Sequence, residues 1–289
     1  MQTINIIFIL ITVLYIYLAY YLYQKMHNQC VNCETEVDYE EDDTQYVKDP
    51  YDPRGKIEVP GIKLRYLTKK QTGQFLIRDV DQYAASLTSS DLCARKVGST
   101  SEYIRQSYVS ARSFNMSQRN LIKRAIDEAH KFFCSSLGFG IDSEKMRVLP
   151  WTVALTDGNY EDGLPHTRAD IIFLTPKILR STFESLVGIL IHEQVHIYQR
   201  TYSDDIHSYL SAQGYKVAFP RSQVARARAN PDTDGMIYLD VNQEIHASIY
   251  TSDCPKRIQD IVTVPENNEA QEHPYETIAY SVASMYNGK

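Results

Sequence analysis

Cysteine is sparse in this chain. Five residues (Cys30, Cys33, Cys93, Cys134 and Cys254) among 289 leave one over in any intramolecular pairing. That excludes a small disulfide-stapled scaffold and does not decide the redox compartment. Also missing are a glycine-rich phosphate loop, a nucleophile elbow and any internal repeat, which removes P-loop NTPases, α/β-hydrolases and solenoids. Positive charge is in deficit. A formal net charge of −6, against one small basic cluster of Arg221, Arg226 and Arg228, argues for no nucleic-acid partner.

Long apolar runs are lacking except at the start. From Ile4 to Tyr23 the chain is apolar apart from Asn5 and Thr12, with no charge before Lys25. A helix of that length spans a bilayer core. The run exceeds a signal-peptide h-region, follows no basic n-region and precedes no A-x-A site. Residues 1–25 are therefore expected to be an uncleaved transmembrane anchor, with Tyr20, Tyr21 and Tyr23 at the membrane boundary and no charge bias strong enough to fix orientation. Cys30-Val31-Asn32-Cys33, the acidic run from Glu34 to Asp43 and a polar stretch with prolines read as a flexible tether over 26–60. Residues 61–289 suffice for a domain with a sizeable core, expected in two lobes.

Within that domain His192-Glu193-Gln194-Val195-His196 is an HExxH sequence. On a helix, positions four apart lie one turn apart on one face, so both imidazoles can reach one metal ion. Glu193 leans to the same side, where it can bond a water on that metal. The sequence supplies the helix: Ser181 and Glu184 form a capping box, followed by Leu186, Val187, Ile189, Leu190, Ile191, Val195 and Ile197. Two imidazoles and a carboxylate inside so apolar a helix lose water and need compensation, which one zinc ion would give to all three. Gly188, one turn before His192, would let another backbone approach.

A catalytic zinc takes three protein ligands and keeps a position for water. The metzincin spacing fails, because Gln199 and Tyr202 stand where its Gly and third His belong. Two carboxylates are candidates. Glu244 precedes 245–250, an alternating strand expected to pair with 236–240 across a turn, with His246 on its exposed face. Glu276 falls in the first turn of a helix opened by Pro274, striped by Ile278, Ala279, Val282, Ala283 and Met285, and ended by Gly288. Small Ala279 would let that helix lie against the HExxH helix.

Upstream, Leu121, Ile122, Ala125, Ile126, Ala129, Phe132 and Phe133 mark a helix from near Ser117 to Gly138, with His130 at its surface. Two strand-like runs, 146–155 and 168–175, precede the HExxH helix. Asp232-Thr233-Asp234-Gly235 reads as a turn, since it lacks the spaced ligands of a calcium loop.

HEQVH with a later Glu-x-x-Ala helix resembles the zincin metallopeptidases of the gluzincin type. Arg228-Ala229-Asn230-Pro231-Asp232 followed by Glu272 to Tyr280 is similar to uncharacterised zincin-like proteins of large DNA viruses. The resemblance implies an α+β fold whose edge strand lines the cleft and pairs with extended peptide, which would bring Arg168 to Ile171 near the substrate. It implies zinc on His192, His196 and Glu276, Glu193 as general base, and an oxyanion donor among Tyr280, Tyr238 and His166. The expected protein is a membrane-anchored zinc endopeptidase acting on a protein or peptide, at a virion or host membrane if viral. The gluzincin pattern NExxxD is not met, since Tyr275 and Tyr280 replace its Asn and Asp. Two alternatives stand: an inactive zincin-like protein with structural zinc that binds a partner peptide, and an anchored adaptor without metal.

Overall fold

A computed structural model of the chain describes residues 56–59, 62–265 and 272–287. The expected anchor at 1–25 and the Cys30–Cys33 pair lie outside them. Lys56–Val59, at the end of the stretch read as a tether, forms a strand. Among the described residues no helix is long and apolar enough to cross a membrane. The fold is α+β.

The N-terminal elements are β1 (Lys56–Val59), β2 (Ile62–Tyr66), α1 (Lys69–Arg78), α2 (Ser89–Ala94), α3 (Thr100–Ser110), β3 (Ala111–Arg112), α4 (Met116–Phe132), α5 (Ser143–Arg147), β4 (Trp151–Thr156), β5 (His166–Arg168) and β6 (Ile171–Leu174). There follow α6 (Phe183–Thr201), α7 (Ser203–Ala212), β7 (Lys216–Pro220), β8 (Met236–Leu239), β9 (Ile245–Tyr250), β10 (Ile261–Val264) and α8 (Pro274–Asn287).

The first sheet has the order β1-β2-β4-β6-β5, with β3 also on β4. Its centre, β2, β4 and β6, is parallel; β1 and β5 are antiparallel edges. All six residues of β4 are buried, as a parallel strand covered on both faces requires. Alternation sorts the side chains. Val153, Leu155, Ile172 and Leu174 join the core with Ile122 and Ile126 of α4 and Leu186 and Leu190 of α6. Ala154, Ile171 and Phe173 face the other way, onto Leu76 of α1 and Tyr103 of α3. The second sheet, β10-β9-β8-β7, is antiparallel. A disulfide between Cys93 and Cys254 ties α2 to the loop after β9.

Local signals are displaced in several places. Thr182, not Ser181, caps α6: its Oγ1 accepts from Ser185 N–H at 3.2 Å, while Ser181 closes the preceding 3₁₀ turn through its hydroxyl on the Ile178 carbonyl. Glu184 remains in the first turn, where its charge complements the helix dipole. Helix α4 opens on a capping box of Asn115 and Gln118 and ends at Phe132, before Gly138. The 146–155 run divides, because Asp142 Oδ1 accepts from the Glu144 and Lys145 amides and starts a helical turn. The 168–175 run is a hairpin reversed at Ala169, whose φ is +51°, a conformation rare without glycine and hence unsignalled. Strands β8 and β9 pair as expected, Tyr238 opposite His246. Against expectation, His130 and His246 are both buried, His246 at 3.5 Å from Asp240.

Candidate metal centre

Helix α6 runs through the core with apolar contacts around most of its circumference, which is why His196 is fully buried and His192 nearly so. The one-turn separation brings their Nε2 atoms to 3.0 Å. Helix α8 lies against α6 through Ile278, Ala279 and Val282, and its first turn carries Glu276 to the pair. Glu276 Oε2 stands 3.3 Å from His192 Nε2 and 3.7 Å from His196 Nε2. Among the described residues these three form the one group of His, Cys, Asp or Glu whose ligand atoms all lie within 4.8 Å. Glu244 takes no part: it is exposed in the turn between β8 and β9.

Two carboxamides orient this group. Gln199, buried one turn beyond His196, donates from Nε2 to the Tyr275 carbonyl at 2.9 Å. A carbonyl only accepts, so Gln199 Oε1 must be the atom at 2.8 Å from His196 Nδ1, and that nitrogen must carry the proton. The Nε2 of neutral His196 then presents a lone pair to the centre. Asn230 Nδ2 donates to Glu276 Oε1 at 2.7 Å, leaving Oε2 towards the imidazoles, and to Glu272 Oε1, which Arg228 also binds.

Glu193 is buried, and its Oε2 has no hydrogen-bond partner. Burial raises its carboxyl well above the ordinary range; Asp232 and Glu276 add to the shift and Arg200 opposes it. For Glu276 burial acts in the same sense but is outweighed by His196 and His192, which hold the carboxyl well below its usual value. Burial lowers the His196 pKa, yet Glu276 and Asp232 more than restore it and the net shift is upward.

A cavity of about 550 Å³ opens on the centre, lined by His166, Gly188, His192, Glu193, Asn230 and Tyr280 among others. Of the three expected oxyanion donors, Tyr280 is best placed. Half exposed, its ring centroid lies 4.5 Å from that of His192, and burial with nearby Glu276 and Glu193 pushes its hydroxyl up to about 12, so the proton is retained at neutral pH. His166 also lines the cavity; its Nδ1 sits 2.9 Å from the Leu164 carbonyl, and Nε2 has no partner. Tyr238 lies in the core, its hydroxyl bonded to Asp234. Arg168, expected beside the substrate, is fully buried and binds Asp79, Asp81 and the Tyr160 hydroxyl. The three arginines read as one basic cluster separate: Arg221 pairs with Asp91, Arg228 with Glu272, and Arg226 lies 3.7 Å from exposed Asp253.

Gln199, Asn230, Asp232 and Arg200 are neighbours of the site to which the sequence reading assigns no role, although Asn230 and Asp232 stand in the 228–232 stretch that carries a resemblance. For Gln199 and Arg200 a local signal exists, an amide and a guanidinium three and four positions after the second histidine on the same buried helix; Asn230 and Asp232 depend on a loop path that no spacing reports. No family model, no curated protein and no solved structure matches this chain.

Proposed function

We propose that the chain is a zinc-dependent metallopeptidase of the zincin type, with His192, His196 and Glu276 as metal ligands and Glu193 as general base. The observation that carries this reading is the triangle of ligand atoms. Zinc bonds of 2.0–2.1 Å at tetrahedral angles require ligand atoms roughly 3.3 Å apart. The three edges here measure 3.0, 3.3 and 3.7 Å. A two-imidazole, one-carboxylate set suits zinc, and no fourth protein ligand joins it among the described residues, which favours an open catalytic position over a closed structural one.

A zinc ion held there would supply Lewis acidity and lower the pKa of a coordinated water to near 7. The charge of that ion would offset the upward shift and return Glu193 to its carboxylate, whose Oε2 would take the water's proton and deliver it to the departing amine. Tyr280 donates its retained phenolic proton in a hydrogen bond to the developing oxyanion. The apolar stretch from Ile4 to Tyr23 supports a single-pass anchor that would hold the peptidase beside a membrane.

The test is Glu193→Gln in the full chain. It should keep zinc at wild-type stoichiometry and lose peptide hydrolysis by about 10²–10⁴-fold, the usual contribution of a positioned base. A fully active variant removes the mechanism.

A further inference from the structure

We propose that the cavity takes its substrate end-on, as a short peptide or a chain terminus, and not as an internal stretch of extended chain; this rests on the peptidase reading. The reason lies in edge strand β5. It pairs with β6 at His166↔Phe173, Thr167↔Ile172 and Arg168↔Ile171. Antiparallel ladders bond at alternate residues, so Thr167 turns its N–H and C=O to the free side, where an added peptide strand would bind.

Both groups are already engaged. The Thr167 N–H donates to Asp232 Oδ1 at 2.6 Å, and its carbonyl accepts from Arg200 Nη2 at 3.3 Å. The Thr167 hydroxyl closes the arrangement, donating to Asp232 Oδ1 at 2.8 Å and accepting from Arg200 Nη1 at 2.6 Å. Upstream, the Leu164 N–H bonds the Glu161 carbonyl, the Leu164 carbonyl faces His166 Nδ1, and Pro165 has no N–H.

The segment that brings Asp232 is itself fixed. The Ala229 N–H donates to buried Asp91 at 2.8 Å, and its carbonyl accepts from buried Arg95 at 3.4 Å. The Pro231 carbonyl accepts from Arg200, and Asn230 holds Glu276. Residues 228–232 all line the cavity. The segment starts on β9, where the Arg228 N–H donates to the Ser248 carbonyl, and ends with the Asp232 carboxylate on the Thr167 N–H that an added strand would need; displacing it would unpair Asp91, Glu276 and Thr167 together. The segment is therefore a wall and not a lid. Recognition falls to side chains instead: His166 Nε2, Glu193 Oε2 and Arg228 Nε are buried, unpartnered polar atoms on residues that line the cavity.

The experiment is a length series. The full chain, loaded with zinc, is given peptides that share one central sequence and grow at both ends from tetrapeptides to chains several times longer, with cut positions read by mass spectrometry. Expected are cuts close to a terminus and a kcat/KM for the central bond that falls about tenfold or more with two-sided extension, equivalent to about 1.4 kcal/mol of transition-state binding. Mid-chain cuts in the longest peptide at the short-peptide rate would overturn the proposal and leave the peptidase reading intact. If no peptide is cut at all, that reading falls and takes this one with it. Amide exchange gives a readout independent of activity: Thr167 N–H should be protected in the wild type and faster in Asp232→Ala. An unprotected wild-type Thr167 amide would overturn the sealed edge directly.

Discussion

Replacing Gln199 by Leu separates its two roles. His196 Nδ1–H loses its acceptor and the Tyr275 carbonyl loses its donor, both inside the core. Each buried group left unpaired costs about 1–3 kcal/mol, so the metal-free protein should lose about 2–6 kcal/mol of stability. The proton on Nδ1 also leaves Nε2 as the nitrogen that would face a metal. Removing such an outer partner weakens metal affinity by about 10–100-fold, or about 1.4–2.7 kcal/mol. Gln199→Glu keeps an acceptor for Nδ1–H but sets a carboxylate against the Tyr275 carbonyl. It should recover most of the zinc affinity while remaining destabilised. The assay is zinc competition against a chelator of known affinity, with urea unfolding of the metal-free variants alongside. If the Leu variant binds zinc within about twofold of wild type while its stability falls, Gln199 merely packs, and the tautomer reasoning is refuted.

The Cys93–Cys254 disulfide closes a separation of 161 residues, for which chain entropy gives about 5 kcal/mol and common experience about 2–4; the double Ala variant should show a correspondingly lower urea midpoint, and an unchanged one would contradict this. His130 has its pKa lowered from 6.5 to about 4, by burial first and by Arg147 second, with Asp127 opposing. A lowered folded pKa means the associated stability is present above pH 6.5 and lost as pH falls through about 4, by roughly 3 kcal/mol at most. His130→Leu should flatten the urea-measured stability between those two pH values, whereas an identical slope in both proteins would exclude His130 as its source.

The half of the site written in local spacing is legible in the sequence. His192, Glu193 and His196 follow from helix geometry alone, and Glu276 from a proline-started amphipathic helix; its rival Glu244 is removed only by the turn after β8, which places it in solvent. What the sequence does not reveal depends on distant segments meeting. Asn230 reaches Glu276 and Asp232 reaches Thr167 only because the loop after β7 passes between the start of α8 and β5. The hairpin at Ala169 is hidden because its reversal uses no glycine or proline. His130 sits at the margin of a helical stripe and is buried once a second layer covers it, whereas His246 lies on the face of β9 opposite Ile245 and Ala247 and is buried because Tyr215 and Asp240 cover that face.

In the proposed function, α6 and α8 together make a three-ligand zinc site with one position left for water. X-ray absorption at the zinc edge, on the full chain loaded to stoichiometry, tests it most directly. Expected is one zinc per chain, bound by two imidazole nitrogens and low-atomic-number oxygens, with Glu276→Ala losing the ion. A chain that takes up well under one equivalent, a sulfur-containing shell, or a Glu276→Ala variant with an unchanged spectrum would contradict it.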